Sequence, residues 1–141
     1  MNVTVLFYEL QSLVRQKTGR EIVLSAVDGR TVKVEAKVEG KVPLLGKIEK
    51  NIGMNVSVEQ IEGNDVRLKY DGGIGTDMLV GALLTFLASD PEAAKMMEKT
   101  PGNGIVVHLD EIKEARKVLE VVELTDIVVQ DNAVDIEGEL K

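Results

Sequence analysis

The stretch that decides the fold is Asp71–Asp90, DGGIGTDMLVGALLTFLASD. A glycine-rich turn opens a helix, and from Met78 to Ala88 nine of eleven residues are apolar. A helix that is apolar nearly all round needs cover on nearly every side. Eleven residues are too few to cross a bilayer. The cover must therefore come from the rest of the chain or from a partner. Asp77, Gly81, Thr85 and Ser89 recur every four residues as a narrow stripe of small or polar positions. Along that stripe a strand, a second helix or a ligand can approach the backbone closely.

Upstream of this helix the period is two. Val32, Val34, Ala36 and Val38 alternate with Lys33, Glu35, Lys37 and Glu39. One dry face and one wet face is the pattern of an antiparallel sheet covered on one side. The alternating charges discourage edge-to-edge pairing. Ile22, Leu24 and Ala26 form the preceding strand, joined to it by a hairpin turn at Asp28-Gly29. Gly40 is expected to end the second of these strands. Val42–Gly46 is expected to be a connection or an edge segment, because Pro43 has no N–H for a ladder. From Lys47 to Ile61 the alternation resumes through Ile48, Ile52, Met54, Val56 and Val58. Unbroken, that strand would run roughly 50 Å, with Gly53 as the place for a bend or bulge. A turn at Gly63-Asn64-Asp65 and a strand carrying Val66, Leu68 and Tyr70 follow. About four antiparallel strands thus precede the apolar helix. At the start of the chain, Val3, Leu6, Phe7, Leu10, Leu13 and Val14 fit one face of an amphipathic helix over residues 3–17. Asn2 is its expected N-cap and Gly19 its stop; a first strand at Val3–Phe7 is the weaker reading, because the apolar positions there do not alternate.

Downstream, Asp90 caps and Pro91 opens a second short helix reaching about Lys99, with Ala93, Ala94, Met96 and Met97 as its apolar side. A loop over Thr100–Gly104 leads to a strand at Ile105–Leu109. Asp110 then caps a third helix with Ile112, Ala115, Leu119 and Val122 on its face. Leu124–Val129 and Ala133–Leu140 close the chain as a hairpin across Asp131-Asn132.

Composition narrows the classes. The 141 residues make one domain, 1–141, long enough for a real core. With two Phe, two Tyr and no Trp, that core is built from Val, Ile, Leu and Met. A net charge of −7 argues against a nucleic-acid partner. With no Cys there are no disulfides and no thiolate metal sites. The N-terminus lacks the basic and small-residue features of a signal peptide, so the expected compartment is cytoplasmic.

Three features carry candidate chemistry. The turn Gly72-Gly73-Ile74-Gly75-Thr76 lies between strand and helix, where phosphate loops sit. It lacks the lysine of a P-loop and the third glycine of a dinucleotide fingerprint, and Asp71 and Asp77 flank it. It reads equally as a plain turn capped by Thr76 or Asp77. His108, with Asp110 and Glu111 close by in sequence, offers a weak acid–base or metal reading against that of a solvated strand residue. Met54, Met78, Met96 and Met97 fall on inward faces near the apolar helix. Methionine-rich linings suit variable apolar ligands, and they also fill ordinary cores. With Gly81, Ala82 and Thr85 from the helix, they form the candidate ligand-binding set. No metal ligands, cofactor or catalytic residues are expected.

The order of elements resembles the tubular lipid-binding superfamily, which includes the bactericidal permeability-increasing protein and the synaptotagmin-like mitochondrial lipid-binding domains. NVSVEQIEGNDVRLKY (55–70), DMLVGALLTFLA (77–88) and the tail from Gly104 to Leu140 carry the resemblance. It implies an α+β fold in which a strongly curved antiparallel sheet wraps around an apolar central helix, with an amphipathic N-terminal helix alongside. It also implies a groove for acyl chains and head-to-tail dimers. Two function classes follow. One is noncatalytic binding of a lipid or other apolar small molecule between sheet and helix. The other is a structural or interaction protein whose apolar helix is buried in the core or in a homo-oligomer interface.

Overall fold

A computed structural model describes residues 1–42, 44, 46–72 and 76–141. Two antiparallel sheets form the body. The larger has six strands in the order β2-β3-β4-β5-β7-β6, and the smaller has three in the order β1-β9-β8. The ranges are β1 Asn2–Leu6, β2 Ile22–Asp28, β3 Thr31–Val42, β4 Gly46–Glu62, β5 Asp65–Gly72, β6 Met97–Thr100, β7 Gly104–His108, β8 Val122–Val129 and β9 Ala133–Leu140. The helices are α1 Phe7–Thr18, α2 Thr76–Ala88 and α3 Lys113–Leu119.

This corrects the expectation of one strongly curved sheet wrapped around a central helix. Neither sheet closes, and α2 lies against one end of the larger sheet instead of inside a sheath. The physical reason lies at the two ends of the chain. The first residues add a strand to the C-terminal hairpin, from Asn2↔Glu137 to Leu6↔Ala133. That builds a separate layer which covers part of the large sheet and leaves α2 the other part.

The expected N-terminal helix is therefore shorter. Val3 belongs to β1, and α1 begins at Phe7, which is buried. The Leu6 N–H donates to the Glu9 carboxylate at 3.1 Å, which satisfies one orphan donor at the helix start. Gly19 ends α1 in the left-handed region at φ 71°, and its N–H donates to the Arg15 carbonyl.

The β2–β3–β4 meander matches the alternation. Val32 and Val34 are half-buried and Ala36 is buried, while Lys33 and Lys37 are exposed. Two details differ. β3 continues past Gly40 to Val42, paired with β4 throughout. The ladder also passes Gly53 without a shift; the irregularity falls between Val58 and Gln60 in the β4–β5 pairing. A Cβ at Gly53 would meet the Lys33 and Glu35 side chains at 3.5 Å and 3.7 Å and the Val34 carbonyl at 4.0 Å, all ordinary contacts.

Downstream, the second expected helix is a three-residue 3-10 turn, Ala93–Lys95. Asp90 still caps it, accepting from the Glu92 N–H at 3.0 Å. Met97–Thr100 then becomes a strand because β7 folds back over it, with Met97 opposite Val107 and Thr100 opposite Gly104. Gly102 and Asn103 take positive φ in the turn, at 74° and 61°. The third helix starts at Lys113 after a 3-10 turn at Leu109–Glu111, and Val122 passes into β8.

One face of the large sheet carries both cores. Met54, Tyr70, Val80 and Ile105 form the cluster beneath α2, with Val34, Val56, Leu84 and Met97 around it. Val66, Leu124 and Ile127 form the cluster between the sheets, with Val58, Ile61, Val134 and Ile136 around it. Leu68 and Val107 belong to both. The β2–β3 turn adds a polar latch. Arg30 Nη1 donates to the Ile127 carbonyl and pairs with Asp126 at 2.8 Å, and the Val129 N–H donates to the Gly29 carbonyl.

Tyr70 is almost wholly buried, and its hydroxyl donates to the Asp77 carboxylate at 2.9 Å. Tyr70→Ala should cost about 3–5 kcal/mol, like other buried aromatic truncations. Tyr70→Phe should cost only about 0.5–1.5 kcal/mol, since Asp77 can be resolvated. Urea unfolding of both variants checks this. A Tyr70→Ala loss no larger than that of Tyr70→Phe would mean the α2 core does not depend on the ring.

Candidate functional site

Two places concentrate the residues that carried chemistry in the sequence: the α2 face and the cleft around His108.

On α2, Thr76 and Val80 are buried and Leu84 is half-buried, at spacings of four that place them on one helix face. Gly81, Thr85 and Ala88 are exposed on another. A Cβ built at Gly81 meets nothing within 4 Å, so among the described residues the glycine is not there for close packing. The Thr85 hydroxyl donates to the Gly81 carbonyl at 2.8 Å. Its polarity is spent inside the helix, which leaves its methyl group as contact surface.

The candidate ligand set divides. Met54 is buried in the core under α2, and Met97 is packed against the same cluster. Met96 is half-buried, and its carbonyl accepts from the His108 N–H at 2.7 Å. Gly81 and Thr85 sit on the exposed side of the helix, away from those methionines. The side chains of Met78 and Ala82 lie outside the described residues, as do Gly73, Ile74 and Gly75 of the glycine-rich turn. At Gly72 a Cβ would collide with the Thr76 hydroxyl and come within 3.0 Å of the Gly53 carbonyl. Glycine there makes room for the Thr76 side chain and the β4 backbone.

His108, the chain's one histidine, ends β7. The register places it opposite Asp65, the first residue of β5. Its Nδ1 lies 2.6 Å from Asp65 Oδ1, and its Nε2 lies 3.3 Å from Glu98 Oε1 on β6. The cleft beside it has a volume of about 460 Å³ and is rimmed by Lys95, Asp110 and Glu111 as well as these carboxylates. Sequence proximity pointed to Asp110 and Glu111 as its partners. The ring contacts come instead from Asp65 and Glu98, brought in by two neighbouring strands. The signal for Glu98 was the hairpin MEKTPGNGIVVH (97–108), once residues 97–100 are taken as a strand.

The hydrogen bond to Asp65 is the main cause that raises the His108 pKa above its usual 6.5, with Glu98 adding and burial opposing. Nδ1 is engaged by Asp65 of β5 and Nε2 by Glu98 of β6, so the ring links β7 to both neighbouring strands. Among the described residues no group of three or more His, Asp and Glu is placed to hold a metal ion.

A second cleft, of about 360 Å³, lies between α1 and β2 and is bordered by Tyr8, Gln11 and Arg15. There Gln11 Oε1 accepts from the Leu24 N–H at 2.9 Å, so the helix plugs the outer edge of β2. Among the described residues, no helix is long and apolar enough to cross a membrane.

No protein-family model, curated protein or solved structure matches the chain. The resemblance to tubular lipid-binding proteins thus gains no relative to stand on.

A raised histidine pKa stabilises the fold fully below the unfolded value, near 6.5, and loses that contribution as pH rises through the folded value. NMR titration of the His108 ring should give a midpoint above 6.5, and Asp65→Asn should lower it. A wild-type midpoint at or below 6.5 would refute the assigned hydrogen bond.

Proposed function

We propose that the chain is a noncatalytic interaction protein that works as a homo-oligomer, with the open face of α2 covered by a second copy. The observation that carries this is the mismatch between the helix's composition and its seat. Nine of the thirteen residues of α2 are neither charged nor hydroxyl-bearing nor glycine. Yet the described contacts hold it along Thr76, Val80 and Leu84 on one side. Away from that seat Gly81, Thr85 and Ala88 are exposed, and an unpartnered side of so apolar a helix is a surface for binding.

A second copy fits that face for two reasons. From Met78 to Ala88 it carries no charge, and the one carboxylate on the stripe, Asp77, sits at the helix start and accepts from the Tyr70 hydroxyl. Gly81 and Thr85 let the backbones approach closely, and in an isologous pair the same small stripe is present on both sides. The ligand-groove reading has less support. Of its lining, Met54 already belongs to the core, and Gly81 and Thr85 face outward.

Light scattering after size exclusion tests the proposal. The wild type should show a mass that rises with concentration. The association should tighten with added salt, because each copy carries −7. Gly81→Leu should abolish association without lowering the melting temperature of the single chain, since its side chain enters open space. Gly81→Ala should raise single-chain stability by about 0.8–1 kcal/mol. A wild type that stays monomeric at every concentration, or a Gly81→Leu protein that associates normally, contradicts the proposal. Saturable uptake of a fluorescent fatty acid by monomers would favour the ligand groove.

A further inference from the structure

β6 is the outer strand of the large sheet, is four residues long and pairs with β7 alone. It follows the 3-10 turn at Ala93–Lys95, and both lie against α2. A strand this short at a sheet edge is weakly held by its backbone bonds alone. A side-chain link from Glu98 to His108 reinforces it.

The link depends on the ring's charge. In the charged ring both nitrogens carry protons, so Nδ1 donates to Asp65 and Nε2 donates to Glu98. The neutral ring keeps one proton. Asp65, at 2.6 Å against 3.3 Å for Glu98, holds it on Nδ1. Nε2 then turns a lone pair toward the Glu98 carboxylate, and two acceptors face each other. The bond to β5 survives deprotonation and the bond to β6 does not.

We propose that Asp65, His108 and Glu98 form a proton-operated clamp that pins β6 to the sheet when the imidazole is charged and frees that edge when it is neutral. Asp65 from β5 and Glu98 from β6 contact the ring, and Lys95 from the turn before β6 and Asp110 and Glu111 from the turn after β7 line the cleft beside it. Four carboxylates against one ammonium favour the charged ring, so release comes on the alkaline side of 6.5. Release also loosens one support of α2, because Met97 of β6 belongs to the core beneath that helix. The clamp rests on β6 and its partners, and it stands whether or not the chain associates.

Hydrogen exchange followed by NMR on the full chain, corrected for the intrinsic pH dependence of exchange, tests this. Between pH 6 and pH 9, protection of the β6 amides should fall about two- to fivefold, the size of an exposed ion pair. Amides of the β8–β9 hairpin should hold steady. Glu98 is well exposed, so Glu98→Gln folds normally. Its amide can donate to the neutral ring, and protection of β6 should then no longer fall with pH. The His108 ring signals, read in the same samples, fix when the charge is lost. Wild-type β6 protection that stays flat through the ring's titration overturns the clamp. So does the same fall in Glu98→Gln.

Discussion

Burial of one row of side chains on β5 holds both layers of this protein. Val66 packs toward the small sheet, Tyr70 packs under α2, and Leu68 between them belongs to both clusters. The three share one face of the strand because side chains alternate. A one-residue slip of β5 would send all three to the opposite face and undo both cores at once. Much of the remaining architecture fixes that register. β4 and β7 flank β5 on either side, the turn at Gly63-Asn64 sets where it starts, and Leu109 N–H donates to the Asn64 carbonyl. The Arg30 latch then fixes the small sheet against the large one.

The period-two segments from Ile22 to Tyr70 and the closing hairpin were legible because each strand there has one dry face and a clear turn. The ends of the chain were not. Val3 to Leu6 fits a helical stripe as well as a strand, and only pairing with β9 decides it. Residues 97–100 carry too little pattern to announce a strand. Their conformation follows from β7 returning across the Thr100–Gly104 turn. Both errors have one physical origin: tertiary pairing overrides weak local preference in short segments. The wrapped sheet was an expectation from the order of elements, and the pairing of β1 with β9 replaces it with two layers.

The same cause explains the site. His108 was visible as the chain's one histidine, but its partners come from positions 43 residues back and ten residues back, which only sheet register brings together. The apolar character of α2 was fully legible. How much of it the chain would cover was not, because that depends on the small sheet taking the other half of the face. A helix that seemed destined for enclosure instead keeps Gly81, Thr85 and Ala88 in solvent. At Gly81, read as room for a ligand or neighbour, a Cβ meets nothing within 4 Å among the described residues.

An NMR dilution series of the uniformly labelled wild type tests most directly whether a second copy covers that face. The account predicts that the amide signals of Gly81, Thr85 and Ala88 move together with concentration along one saturable curve, while those of β2 and the β8–β9 hairpin stay fixed. Amide signals on α2 that do not move across a range in which the mass of the particle changes would contradict it, and so would movement centred on another surface.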